Sequence, residues 1–156
     1  MGLQMASPLL SLEAREDIAM ALAEPAQTFV DSLNRCLKVP HFLEEFYAVF
    51  MSSSTEVREK FRDTDPVQQA RVLAESLYAL AVVAQGQKGS PAWGDFPRLA
   101  EKHSRRGLDI RPELYDLWLD CLLGAARRCD RSFSPEVEDA WRRTLAIGIE
   151  YLRSHH

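Results

Sequence analysis

The chain is 156 residues long, 46% hydrophobic and 27% charged, which is the usage of an ordinary folded domain and excludes wholesale disorder. Its 19 basic and 23 acidic residues give a formal charge of -4, the wrong balance for a protein that meets nucleic-acid phosphates through a basic surface. No apolar run approaches the roughly 20 residues needed to cross a bilayer, and Met1 to Met5 lack the basic and apolar stretches of a secretion signal, so a cytoplasmic protein with no membrane partner is expected.

Apolar residues recur at spacings of three and four, while alternating strand patterns and hairpin turns are nearly absent. The first predicted helix runs from about Ser11 to Ala23, with Leu12, Ile18 and Leu22 on its stripe and Ser11 as its cap. Pro25 opens a second, to about Val39, with Phe29, Val30, Leu33 and Leu37 on one side. Pro40 begins a third, dense in aromatic and apolar residues from Phe42 to Phe50, and Ser52, Ser53 and Ser54 end it. A short helix follows from Thr55 to Phe61. Thr64 or Asp65 caps the next, which starts at Pro66 and carries Leu73, Leu77 and Leu80 to about Ala84.

Residues 85–93 hold Gly86, Gly89 and Pro91 and read as a loop. A short helix from about Asp95 to Arg105 contains Leu99 and His103. Two long helices close the pattern, one from near Pro112 and one capped by Ser134 with Pro135 at its first position. An all-α fold of about seven or eight unequal helices follows, with residues 1–24 as an extension and 25–156 as the main domain.

Cys36, Cys121 and Cys129 cannot all pair within the chain and show no CxxC spacing, so free thiols are expected rather than a disulfide framework or zinc site. Of four histidines, His155 and His156 belong to a chain end expected to fray, and His41 follows Pro40 at an exposed helix start. His103 differs: it shares a helix face with Leu99 and precedes a polar turn. Spacing alone allows either a packed, hydrogen-bonded histidine or a ligand.

From Phe42 to about Tyr151 the chain resembles the bacterial single-domain globins, a class that includes flavohaemoglobin globin domains and sensor globins. Phe46 to Phe50, then Ser54 to Phe61, is similar to the family's B helix and its junction with the next. Leu99 to Leu108, followed by Pro112 to Tyr115, is similar to its proximal helix and the entry to the one after. Phe133 to Trp141 resembles the start of the last globin helix.

The resemblance implies a globin fold with one b-type haem (heme b, iron protoporphyrin IX) in a five-coordinate state. It makes His103 the iron ligand, Tyr47 the distal donor and Phe61 the residue packed on the porphyrin. The imidazole nitrogen away from the iron would donate to a second group, with Ser104 and the Leu99 carbonyl as candidates. The second distal residue would come from Gln68, Gln69 or Arg71. Register favours Gln69, because Leu73 and Leu77 lie four and eight residues on, whereas Gln68 leads to Val72 and Ser76.

Leu73, Leu77, Leu99, Leu108, Tyr115 and Trp118 would complete the wall, with Val72, Ile110 and Leu122, and Arg106, Arg105 or Lys60 would meet the propionates. Tyr115 resembles the family's tyrosine behind the proximal histidine but lies two residues further from it, and no glutamate occupies the matching place near the chain's end. The function implied is reversible binding of oxygen, or of nitric oxide or carbon monoxide, for oxygen binding, transport or sensing, with no catalytic residue. Two other readings stay open: nitric oxide dioxygenation with an external reductase, since 156 residues leave no room for one in the chain, and a haem-free regulatory module. A monomer or a homodimer through the last two helices is compatible with either.

Overall fold

Three helices among the described residues begin at a residue whose side-chain oxygen accepts from a free amide. A computed structural model describes residues 11, 13, 22–86, 93–94, 96–104, 107 and 109–156, and among them are seven helices and no strand. They are α1 (Ala26–Leu37), α2 (Phe42–Ser52), α3 (Thr55–Lys60), α4 (Pro66–Val83), α5 (Phe96–His103), α6 (Glu113–Cys129) and α7 (Pro135–Ser154). The Glu24 carboxylate accepts from the Thr28 amide at 2.8 Å at the head of α1. Ser54, Asp65 and Ser134 accept from Val57, Val67 and Val137, which settles the Thr64 or Asp65 alternative for Asp65. The expected leading helix falls largely outside the described residues. None of the helices described is long and apolar enough to cross a membrane.

The helices pack around one core. α1 lies on α7 through Phe29 and Trp141, whose rings meet edge to face at 4.7 Å. α2 runs along α6, and α4 along α7. Gly148 of α7 is where α4 and α5 come closest: a Cβ there would lie 2.1 Å from Leu80 Cδ2 and 3.1 Å from Phe96 Cζ. A side chain at this position would have to displace the Leu80 methyl group and press on the Phe96 ring.

One buried carboxylate ties the first helix to the last two. Asp130, in the turn between α6 and α7, accepts from Ser32 Oγ at 2.6 Å, from Arg35 Nε at 2.6 Å and from the Ser132 amide at 2.9 Å. Trp141 Nε1 donates to the same Ser32 hydroxyl at 2.9 Å. Burial raises the carboxyl's pKa, but the hydrogen bonds from Arg35, Ser32 and Ser132 outweigh it and hold the group below the usual 3.8.

With a depressed folded-state pKa, this stabilisation is complete above the unfolded-state value and is lost as pH falls through the folded one. Asp130→Ala should lower stability by about 3 kcal/mol, the low end for one partner removed from a buried pair, because Arg35 keeps contact with water. Urea titration should show a lower midpoint at unchanged slope. The variant should also lose part of the parent's stability change in the acid range below pH 4. Equal stability at neutral pH would remove Asp130 from this role.

Candidate functional site

His103 is the last residue of α5, a helix of eight residues, too short to be stable alone. Phe96 and Ala100 bury its inner face. Phe96 also packs in an aromatic cluster with Trp93 at 5.5 Å and Tyr151 of α7 at 5.6 Å. Beyond the helix the chain folds back on itself. The Asp109 amide donates to the Ser104 carbonyl at 2.8 Å and the Ile110 amide to the His103 carbonyl at 2.9 Å. Gly107 fits this turn because a Cβ would lie 2.1 Å from the Lys102 carbonyl oxygen.

Three outside contacts hold the returning segment. Lys60 donates to the Asp109 carbonyl at 3.0 Å, Arg111 pairs with Glu56 at 2.7 Å, and His156 Nε2 meets Asp109 Oδ1 at 2.8 Å. The chain end is therefore engaged rather than frayed, and His155 stacks on Tyr151 at 4.0 Å. Lys60, a candidate for a ligand's acidic groups, is already bound to the Asp109 backbone.

His103 Nδ1 lies 2.9 Å from the Leu99 carbonyl. A carbonyl can only accept, so Nδ1 carries the proton and the neutral ring keeps its lone pair on Nε2. Ser104 is not the partner, since its hydroxyl donates to the Glu101 carbonyl at 2.7 Å. Among the described residues nothing engages Nε2. Burial pushes the His103 pKa below the usual 6.5, opposed by the Leu99 hydrogen bond and assisted by Lys102. The ring is neutral at physiological pH.

A second group of residues forms an aromatic wall. Tyr47 on α2 packs edge-on against Phe46 at 4.8 Å and Phe61 at 5.7 Å. Phe50 stacks on Phe46 at 5.3 Å, and Trp118 of α6 closes on Phe46 at 6.4 Å. The Tyr47 hydroxyl donates to the Gln69 carbonyl of α4 at 3.2 Å. Burial raises its pKa to about 12, opposed by the Gln69 side chain, so the hydroxyl is protonated at all ordinary pH. Gln69 is partly buried and Gln68 exposed. Phe46 and Phe50 were not among the expected site residues, although their spacing with Tyr47 on one dense helix was visible.

The remaining expected residues divide. Leu73, Leu77, Leu122 and Tyr115 are buried, and Leu99, Ile110 and Trp118 pack partly buried against them. Val72 is 42% exposed, because the buried stripe of α4 runs through Leu73 and Leu77 and leaves Val72 about 100° away around the helix. Arg105, Arg106 and Leu108 lie outside the described residues. Tyr115 is only 7% exposed and its buried hydroxyl has no partner among the described residues, His103 included. No hydrogen bond or ring contact among those residues joins His103 to Tyr47.

No family profile matches the chain, and neither does any curated protein sequence. A solved structure does: protein PA3967 from Pseudomonas aeruginosa PAO1, described as structurally highly homologous to a human hemoglobin. It is 39% identical to this chain with a TM-score of 0.78, and the match covers 83% of this chain and 96% of that one.

The imidazole state is directly measurable. Long-range proton–nitrogen NMR at pH 7 should show a neutral His103 ring protonated at Nδ1, titrating below 6.5. A ring protonated at Nε2, or a midpoint above that value, would contradict the assigned geometry.

Proposed function

The chain belongs to the globin family, and from that premise we propose that it holds one haem b on His103 and reversibly binds a diatomic gas, oxygen first. The observation that carries this reading is the state of His103: neutral, fixed through Nδ1 on the Leu99 carbonyl, and with Nε2 unengaged among the described residues. That is the donor a haem iron takes. The likeness of the Pseudomonas relative to a human hemoglobin supports the same cofactor.

The residues present fit the group. Leu73, Leu77 and Tyr115 from the core, with Leu99, Phe61 and Trp118 at its edge, supply apolar faces for a porphyrin. Leu108 for the wall and Arg106 for a propionate enter from the sequence alone. When bound, haem supplies a ferrous iron with an open position for the gas.

The chain's own residues decide how that gas is kept. Tyr47 retains its proton at any physiological pH and so always has one to donate. Its present bond to the Gln69 carbonyl, at 3.2 Å, lies at the long end for a hydroxyl donor and is easily exchanged for a partly anionic gas. Gln69 is the second proposed donor, through its side-chain amide.

On the proximal side, the Leu99 carbonyl is a neutral acceptor, and the Tyr115 hydroxyl is not bonded to the imidazole. A ring held by a neutral carbonyl is less basic than one held by a carboxylate. This favours reversible binding over bond-cleaving chemistry and sets gas binding ahead of an enzymatic role.

The reading is tested by the absorption spectrum. The purified or hemin-reconstituted protein should show a strong Soret band that shifts when carbon monoxide meets the reduced form. His103→Ala should abolish the five-coordinate ferrous histidine spectrum. A protein that stays colourless with hemin, or a variant that keeps that spectrum, would refute the proposal.

The distal side is tested by kinetics. Tyr47→Phe should speed oxygen release roughly ten- to a hundred-fold, the effect of losing one hydrogen bond to a charged partner worth about 1.5–3 kcal/mol. An unchanged off-rate would take Tyr47 out of the mechanism.

A further inference from the structure

A second set of donor atoms takes no part in the site around His103. His41, Glu45 and Cys129 place an imidazole nitrogen, a carboxylate oxygen and a thiol sulfur within 4.8 Å of one another. His41 is the residue before α2, Glu45 stands one turn further on the same face, and Cys129 ends α6, which packs along α2. We propose that these three residues bind a divalent transition-metal ion of the zinc class, with a fourth position open to water.

The chemistry of the set supports this. A thiolate, an imidazole and a single carboxylate oxygen are the ligand types zinc selects. The two spacings to Glu45 are close to what a tetrahedral ion needs, and the third, from His41 to Cys129, is within 4.8 Å. His41 Nε2 lies 3.0 Å and Cys129 Sγ 3.7 Å from the same Glu45 Oε2. Bond lengths to zinc place a nitrogen and an oxygen about 3.3 Å apart, and a sulfur and an oxygen about 3.6 Å.

The other oxygen of Glu45 is held by Arg128 Nε at 3.1 Å. That contact orients the carboxylate and leaves Oε2 to the ion, as partners outside the ligand set do at metal sites. His41 is exposed and Cys129 is 8% exposed, so an ion can enter past the imidazole and end on the thiol.

The loading step balances without an oxidant or reductant. In the metal-free protein the Cys129 group is a thiol that donates to Glu45 Oε2 at 3.7 Å. On binding, the S–H bond breaks, the metal–sulfur bond forms, and the proton leaves to solvent. Affinity should therefore rise with pH. A bound ion would tie the start of the helix that carries Tyr47 to the end of the helix that carries Trp118, behind the aromatic wall.

The test uses the full chain and zinc itself, titrated against a competing chelator at pH 7 and pH 8, with X-ray absorption at the zinc edge. Its readout does not depend on haem, so it stands or falls separately from the gas-binding proposal. The expected result is one site per chain, tighter at the higher pH, with a sulfur neighbour at about 2.3 Å. Cys129→Ser and His41→Ala should each weaken it roughly tenfold or more; His41 is exposed, so its variant keeps the fold. An adventitious ion held elsewhere, such as at His155 and His156, would give equal affinity in all three proteins or a shell without sulfur. Either result overturns the proposal.

Discussion

Helix α5 has eight residues and bears the candidate histidine on the last of them, so it depends on its neighbours for its position. The surrounding structure supplies that position from several sides. Phe96 enters the space left by Gly148, and Trp93 and Tyr151 close around it. The far end is fixed by the turn through Gly107 and by contacts from Lys60, Arg111 and His156. An imidazole at the end of such a helix has a defined orientation only because these contacts are made together. The Leu99 carbonyl then fixes the last variable, the location of its proton.

Buried polar groups are handled in two ways. Asp130 is fully satisfied by an arginine, a hydroxyl and an amide, and its charge joins α1 to the turn between α6 and α7. Such a group fixes how helices meet, because its loss leaves the partners unpaired. The Tyr115 and Thr144 hydroxyls are buried without partners among the described residues. Tyr47 lies between these cases, with one long bond to a backbone carbonyl that already belongs to a helix. Polar groups are thus firmly bonded where α1 meets the turn between α6 and α7 and more loosely bonded at Tyr47.

Much of the architecture was legible because it is local. The prolines and the Ser and Asp caps place most helix starts to within a residue or two. Ser54, Asp65 and Ser134 act as caps because the amides they satisfy lie two or three residues away. The resemblance singled out Tyr47, Phe61 and His103, and register chose Gln69 over Gln68. Sequence reasoning assigned no role to His156, because the reach of the chain end to Asp109 is not a local property. The CxxC pattern used to look for a zinc site sees only donors close together in the chain, so it could not register the approach of Cys129 to His41 and Glu45.

The sequence by itself determined the helical class, the order and approximate limits of the helices, and the identity of the candidate histidine and tyrosine. These follow from apolar periodicity, capping and turn residues, which act over a few positions. Only the tertiary structure decided that Leu99 rather than Ser104 orients His103, that Asp130 anchors the first helix, and that His41, Glu45 and Cys129 meet. The first is a choice between the carbonyl one turn back and the hydroxyl of the next residue, which turns instead to Glu101. The other two join residues about ninety positions apart, and such contacts exist only after the helices have packed.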